Sequence, residues 1–315
     1  MAARKLSYTP NPAARALQRR RSNVIGFVPR TDRYTPYDSL VPFLLTGNLA
    51  QSGLEHGYHI VEASTKLANR SGSDDLIEFR VGRHVDGVVL DSPESGEEVA
   101  RIVDRGLPVA QMIRPQHATL TPTVMIDAVP GTTEAMEHLI EMGHRDIAFI
   151  GTSGTDSADR SRLETFHSVL ERAGITPRDE WIVLVETYNP RFGRSAAEQL
   201  LAAPTQPTAL LVAGDNLASG VLQYVYEHGV RIPDDLSVIS YDDIIALHLT
   251  PALTSVHQPL ADAADTAIDL LISQIGTSPG NRIHADSVIL PSHLVKRHSV
   301  RRLEPISGRR GTAAS

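Results

Sequence analysis

The sequence predicts an α/β chain built from two open parallel sheets in series, and three observations carry that prediction. Short, nearly continuous apolar runs alternate with amphipathic stretches along most of the chain, the form taken by strands covered on both faces. Glycines close several of the helix-like stretches, at Gly143, Gly174 and Gly229, where a left-handed C-terminal stop is expected. The same alternation then starts again near residue 130. With 315 residues, 41% apolar and 21% charged, the chain is long enough for two domain-sized cores.

In the first half the predicted strands are 24–28, 58–63, 87–90, 109–112 and 124–126, with amphipathic helices over 40–56 and 74–83. In the second half a helix over 132–142 leads to a strand at 147–151, and a helix over 162–173 leads to 181–186. A helix over 193–202 then leads to 209–213, and a helix over 217–228 leads to 237–241. Each sheet thus takes about 120 residues. A late apolar helix, 261–275, follows the spacer Val256-His257-Gln258-Pro259. That spacer suits a crossing back to the first sheet, although periodicity alone leaves the crossing open. The segment 303–315 has no apolar face and is predicted to be disordered; it carries no leucine heptad for a coiled coil.

Cysteine is absent, so a disulfide framework, a zinc–thiolate site and a cysteine nucleophile are all excluded. No apolar run is long enough to span a bilayer, and the basic start at Arg4 and Lys5 leads into Tyr8-Thr9-Pro10 instead of an apolar signal core. The expectation is a cytoplasmic protein with no membrane partner. Net charge is −7, but residues 1–30 carry seven basic and no acidic side chains, which leaves −14 on the rest. A cationic arm on an anionic body suits a polyanion at the arm; a solvated basic terminus is the plainer alternative.

Catalytic signatures are missing. No G-x-G-x-x-G follows a strand, no G-x-x-x-x-G-K-[ST] occurs, and Gly151-Thr152-Ser153-Gly154 is not a nucleophile elbow. No cofactor is implied. His56 and His59 form an H-x-x-H without a third ligand, and a histidine closing a helix is favoured there in any case. Asp242 and Asp243 are adjacent at a strand end, so their carboxylates point to opposite sides and cannot share one cleft. A binding role is favoured over an enzymatic one.

Several segments, taken in order, resemble the lactose-repressor (LacI/GalR) family of bacterial transcription regulators. They are Tyr8-Thr9-Pro10-Asn11-Pro12-Ala13-Ala14-Arg15-Ala16-Leu17 with Arg21-Ser22; Val85-Asp86-Gly87-Val88-Val89-Leu90; Gly143-His144-Arg145-Asp146-Ile147-Ala148-Phe149-Ile150-Gly151; Pro207-Thr208-Ala209-Leu210; the run 232–243; the run 251–256; and Leu290-Pro291 through Leu294-Val295-Lys296-Arg297-His298-Ser299. The resemblance implies a type I periplasmic-binding-protein-like core of two Rossmann-like lobes, a homodimer, and a small-molecule effector. It implies lobes of 24–126 plus 259–287 and of 127–258 plus 288–302, preceded at 1–23 by a remnant of a DNA-binding module and a hinge helix.

By the same resemblance, 11–17 matches a hinge helix that folds on operator DNA, and Leu17 matches an apolar wedge in the minor groove. Asn11 suits an N-cap before Pro12. Ala14, Arg15 and Arg20 lie on the DNA-facing segment, where the arginines suit phosphate contacts that position without specifying sequence. A helix-turn-helix module is expected ahead of the hinge, and only the end of its last helix, 2–7, is present. A seven-residue hinge is too short to hold as a helix alone in water. The expectation is therefore a chain that binds effector but grips operator poorly without the missing part.

Ligands of open parallel sheets sit beyond the carboxyl ends of the strands. The resemblance matches Arg162 to the arginine that anchors effector, Asp242 to a hydroxyl-binding carboxylate and Tyr188 to a ring-stacking aromatic. Asp215, just past a strand, is a further candidate, with helix capping as its plainer reading. Asp32 and Tyr37 fall in the expected lip of the first lobe. Gly214 departs from the family's frequent Asn, as Thr165 and Ser240 depart from its glycines. A mono- or disaccharide fits an arginine, two carboxylates and aromatics best; a purine or nucleoside fits less well. The competing class is a sugar receptor of a transport system, which needs a signal peptide or lipid anchor.

Overall fold

Two six-stranded sheets are formed, and both follow the same strand order. The computed structural model describes residues 21–29, 39–62, 85–93, 95–113, 121–153, 157–277 and 287–304. The arm positions Asn11, Ala14, Arg15, Leu17 and Arg20, the lip positions Asp32 and Tyr37, the stretch 74–83 and the end of the tail, 305–315, lie outside the described residues.

The first sheet holds β1 (Val24–Val28), β2 (His59–Glu62), β3 (Gly87–Asp91), β4 (Val109–Ile113), β5 (Thr123–Asp127) and β11 (Ser287–Pro291), in the order β11-β5-β4-β3-β1-β2. The second holds β6 (Ile147–Thr152), β7 (Ile182–Val185), β8 (Ala209–Val212), β9 (Ser237–Asp242), β10 (Thr254–His257) and β12 (His293–Val295), in the order β12-β10-β9-β8-β6-β7. In each, the first strand lies between the second and third, and the strands from first to fifth pair in parallel. β12 closes its edge antiparallel to β10. Every residue of β3 and of β6 is buried, as the apolar runs require.

The described helices are α1 (Val41–Glu55), α2 (Gly96–Asp104), α3 (Ala128–Glu141), α4 (Ser157–Arg172), α5 (Pro190–Leu201), α6 (Asp215–Glu227) and α7 (Leu260–Gln274). Three of them start three or more residues earlier than their apolar periodicity indicates, and two of these three starts have visible causes. Asp127 caps α3 by accepting from the Val129 N–H, and Asn189 caps α5 by accepting from Arg191 N–H with Pro190 as the first helical residue. α4 starts at Ser157, five residues before Arg162. α2 and the strands β10, β11 and β12 were not anticipated.

The described elements fall into two units: β1 to β5, β11, α1, α2 and α7 in one, and β6 to β10, β12 and α3 to α6 in the other. α7 belongs with the first sheet, where Gln274 Nε2 donates to the Val109 carbonyl and Leu271 packs beside Gly87. In the second unit alternate strand residues face opposite ways. Ala148, Ile150, Leu210 and Val238 pack with Leu217 and Val221 on one face; Ile147, Phe149, Leu211 and Ile239 pack with Leu139 and Phe166 on the other. Each such large side chain stabilises the unit by about 2 kcal/mol.

Leu303 and Glu304, expected to be disordered, belong to the described chain. The reason is backbone pairing: Leu303 N–H donates to the Met142 carbonyl at 2.7 Å, and Val238 N–H donates to the Ser299 carbonyl at 2.9 Å. His144, fully buried, joins the same seam. Its Nε2 lies 3.1 Å from the Arg301 carbonyl and its Nδ1 2.9 Å from Thr208 Oγ1. Burial, first, and neighbouring cationic groups push its pKa down to about 4 against a partial lift from the Arg301 carbonyl. The ring is therefore neutral, held between the Arg301 carbonyl at Nε2 and the Thr208 hydroxyl at Nδ1.

Candidate functional site

In the second sheet the strand order reverses between β6 and β8, and in open sheets that reversal is where ligands are held. Thr152 ends β6, and Ala213 and Gly214 follow β8. α5 is pressed directly on α6: a β-carbon on Gly193 would collide with the Leu217 carbonyl, and one on Gly220 with that of Pro190. That close approach carries Tyr188, just ahead of α5, onto the turn at Gly214.

Arg162 reaches into this place from α4 and is 5% exposed. Its Nη1 donates to the Tyr188 hydroxyl at 3.2 Å, to the Ala213 carbonyl at 3.2 Å and to Asp159 Oδ1 at 3.4 Å. The guanidinium lies over the Tyr241 ring, 3.8 Å from its centroid, a cation–π arrangement in a desolvated setting. Burial opposes its charge, but Tyr188, Tyr241, Asp159 and Asp242 more than offset that and raise its pKa. Asp159, one helical turn earlier, is equally buried. Its Oδ2 accepts from the Thr152 hydroxyl and its Oδ1 from the Tyr188 hydroxyl.

Asp242 ends β9 with φ of 93°, and Asp243 follows at 58°. Two successive side-chain-bearing residues in this region are unusual and need strong anchoring. The anchors are separate. Asp242 Oδ1 accepts from Gln258 Nε2 at 2.5 Å, whereas Asp243 pairs with Arg297 Nη1 at 2.6 Å and His257 Nδ1 at 3.3 Å. Burial, then, pushes Asp242 up to about 6; Arg162 opposes the rise and the Asp215 carboxylate adds to it.

Asp215 opens α6 and is 2% exposed. Its Oδ2 accepts from the backbone N–H groups of Ile244, Ile245 and Ala246 at 2.7, 2.9 and 3.2 Å, and its Oδ1 from the Ser255 hydroxyl at 3.3 Å. Burial raises its pKa against the pull of the Ser240 hydroxyl and of the three backbone N–H groups. Its contacts pin the 242–246 turn from beneath, across some thirty residues of sequence.

Arg162, Tyr188, Asp242 and Asp215 thus come together. Tyr188 is placed differently from a free stacking face: it is 8% exposed, its hydroxyl is engaged by Arg162 and Asp159, and its ring edge lies against Gly214. Asp159, Thr152, Tyr241 and Gln258 were not singled out from the sequence. Nor was Asp91, buried at the carboxyl end of β3 in the first unit, which accepts from the Ser92 hydroxyl at 2.8 Å; the rule that ligands lie beyond strand ends points to it. His56 sends Nδ1 to the Ser52 carbonyl and Nε2 to Asp269. Chemically, the second-unit cluster offers carboxylates, a guanidinium and aromatic surface, a set that binds hydroxyls. No helix among the described residues is long and apolar enough to cross a membrane.

A family model described as a periplasmic binding protein-like domain matches residues 136–300, just over half of the chain. The HTH-type transcriptional repressor PurR of Edwardsiella ictaluri is 30% identical over 303 residues, covering 95% of this chain and 86% of that protein. The structure of a transcriptional regulator CelR–cellobiose complex aligns with a TM-score of 0.75 at 27% identity, over 95% of this chain and 88% of that one. The lac repressor dimer bound to operator and the anti-inducer ONPF shares the fold, with a TM-score of 0.75 at 24% identity over 93% and 99% of the two chains. Identity at this level across nearly the whole chain, added to the domain match, shows that the chain belongs to the LacI/GalR family of transcriptional regulators, which are not enzymes.

Proposed function

We propose that this regulator's effector is a sugar, bound at the strand-order reversal of the second unit, and that it controls binding to operator DNA by a homodimer. The observation that carries the reading is the convergence of Arg162, Tyr188 and Asp242 at one strand-end site. Arg162 supplies donors, Asp242 accepts from hydroxyls and Tyr188 bounds the ligand with its ring. Asp215 acts from beneath by fixing the turn that carries Asp242. The CelR relative, described as a complex with cellobiose, supports a saccharide over a nucleoside.

Control of DNA binding requires that effector bind two states of the regulator with different affinity. The DNA-facing role rests on the sequence: 11–17 acts as a minor-groove hinge, Leu17 as its wedge, and Arg15 and Arg20 as phosphate contacts beside Asn11 and Ala14. The experiment is a thermal-stabilisation screen of mono- and disaccharides and nucleosides on the parent and on Arg162→Ala. Saccharides are expected to stabilise the parent and not the variant. A variant that responds like the parent sinks the site assignment, and a response confined to nucleosides sinks the sugar.

A further inference from the structure

Resting on that site, we infer that Asp159 is a specificity-determining residue: it balances the Arg162 guanidinium from within, so the site accepts uncharged, hydroxyl-bearing ligands and rejects anionic ones. An arginine at a ligand site ordinarily recruits carboxylate or phosphate through its planar fork. Here its Nη1 already faces Asp159 Oδ1 at 3.4 Å, both side chains are about 95% buried, and Asp159 is held in place by the Thr152 and Tyr188 hydroxyls.

The surrounding charges point the same way. Asp242 stands beside Arg162 and Asp215 beside Asp242, whereas Asp243 is already matched by Arg297. Two carboxylates, Asp159 and Asp242, therefore face one guanidinium, with Asp215 behind Asp242, and a further negative group entering a desolvated place meets net repulsion. What remains unmet is a hydrogen-bond donor, since Arg162 Nε is buried without a partner among the described residues. A ligand hydroxyl suits such a place, because its oxygen can accept from a guanidinium N–H while its own hydrogen is given to a carboxylate such as Asp242. A carboxylate or phosphate ester satisfies the first requirement and fails the second.

The test uses the full chain and two sets of probes. Saccharides that stabilise the parent are compared with their uronates and phosphate esters, and methyl phosphate is used as an anion that needs no knowledge of the effector. The parent is expected to show no Arg162-dependent stabilisation by methyl phosphate or by the acidic sugars. Asp159→Asn, which keeps the shape, is expected to gain methyl phosphate binding by roughly tenfold or more, the size of a relieved like-charge contact. The Asp159→Asn/Arg162→Ala double variant is expected to lose that gain. Arg162-dependent binding of methyl phosphate by the parent overturns the inference, and so does an Asp159→Asn protein that folds and gains nothing. If that variant does not fold, the parent's choice between neutral and acidic sugars, or its response to methyl phosphate alone, decides. Failure of the underlying site looks different: neutral sugars would then stabilise the parent and Arg162→Ala alike.

Discussion

The ring of Tyr188 stands where a side chain on residue 214 would have to go: its Cδ1 lies 2.8 Å from the place of a β-carbon on Gly214, and Asp242 Oδ2 lies 3.5 Å from it. Gly214 →Ala should therefore displace Tyr188 and cost about 1 to 3 kcal/mol, the range for overpacking a filled interior. Denaturant unfolding measures the cost. A double-mutant cycle with Tyr188→Ala identifies its source, because the penalty at 214 should largely disappear once the ring is gone. Equal penalties in both backgrounds would place the strain elsewhere.

Asp215 offers a second test. Its carboxylate satisfies three backbone N–H groups of the 242–246 turn, and Asp215→Ala leaves those donors in a largely buried place. The loss should be about 3 kcal/mol or more, and amide exchange at Ile244, Ile245 and Ala246 should accelerate first. Unchanged exchange there would show that the turn holds itself.

Asp242 makes the protein's stability fall with rising pH. Its folded pKa of about 6 stands above the ordinary 3.8, so its contribution is fully present below pH 3.8 and is lost as pH rises through about 6. Asp242→Asn, whose amide oxygen can keep the Gln258 bond, should raise stability at pH 8 by about 2 to 3 kcal/mol and change little at pH 4. Denaturant melts at the two pH values give the difference; equal effects at both would contradict the assignment.

His144 works in the opposite sense. Its folded pKa of about 4 lies below the ordinary 6.5, so the unfolded chain takes up a proton first as pH falls. Stability from the neutral ring is whole above pH 6.5 and declines by about 3 kcal/mol as pH drops towards 4. His144→Asn should lower stability at pH 7 and flatten this part of the profile. A variant with the parent's acid slope would assign that slope to other groups.

The apolar strands were legible in the sequence because burial on both faces leaves continuous apolar runs such as 147–150 and 209–212. β10 was not, because Thr254 and Ser255 are buried polar residues whose partners are Arg297 N–H and Asp215. β11 and β12 are short edges, largely solvent-facing. In the site, Tyr188 and Asp242 are singled out at or just past strand ends and Arg162 at the expected start of a helix, each by resemblance to the family. Asp159 was hidden because the start of its helix was placed at Arg162: counted as loop, it had no reason to share a face with the arginine. The partners of Asp215 lie 29 to 40 residues away, beyond any local pattern.

The shared strand order has a consequence for how the protein is made. The first sheet lacks α7 and its edge strand β11 until residue 291 has been synthesised, and the second lacks β12 and the seam through Ser299 and Leu303 until a few residues later. Neither unit is a contiguous piece of chain, so on the ribosome both must wait, incomplete, for the last tenth of the polypeptide. A nascent chain halted near residue 250 holds the nine strands β1 to β9 but neither finished sheet, and pulse proteolysis of such arrested chains should find the 24–126 stretch as cleavable as the rest.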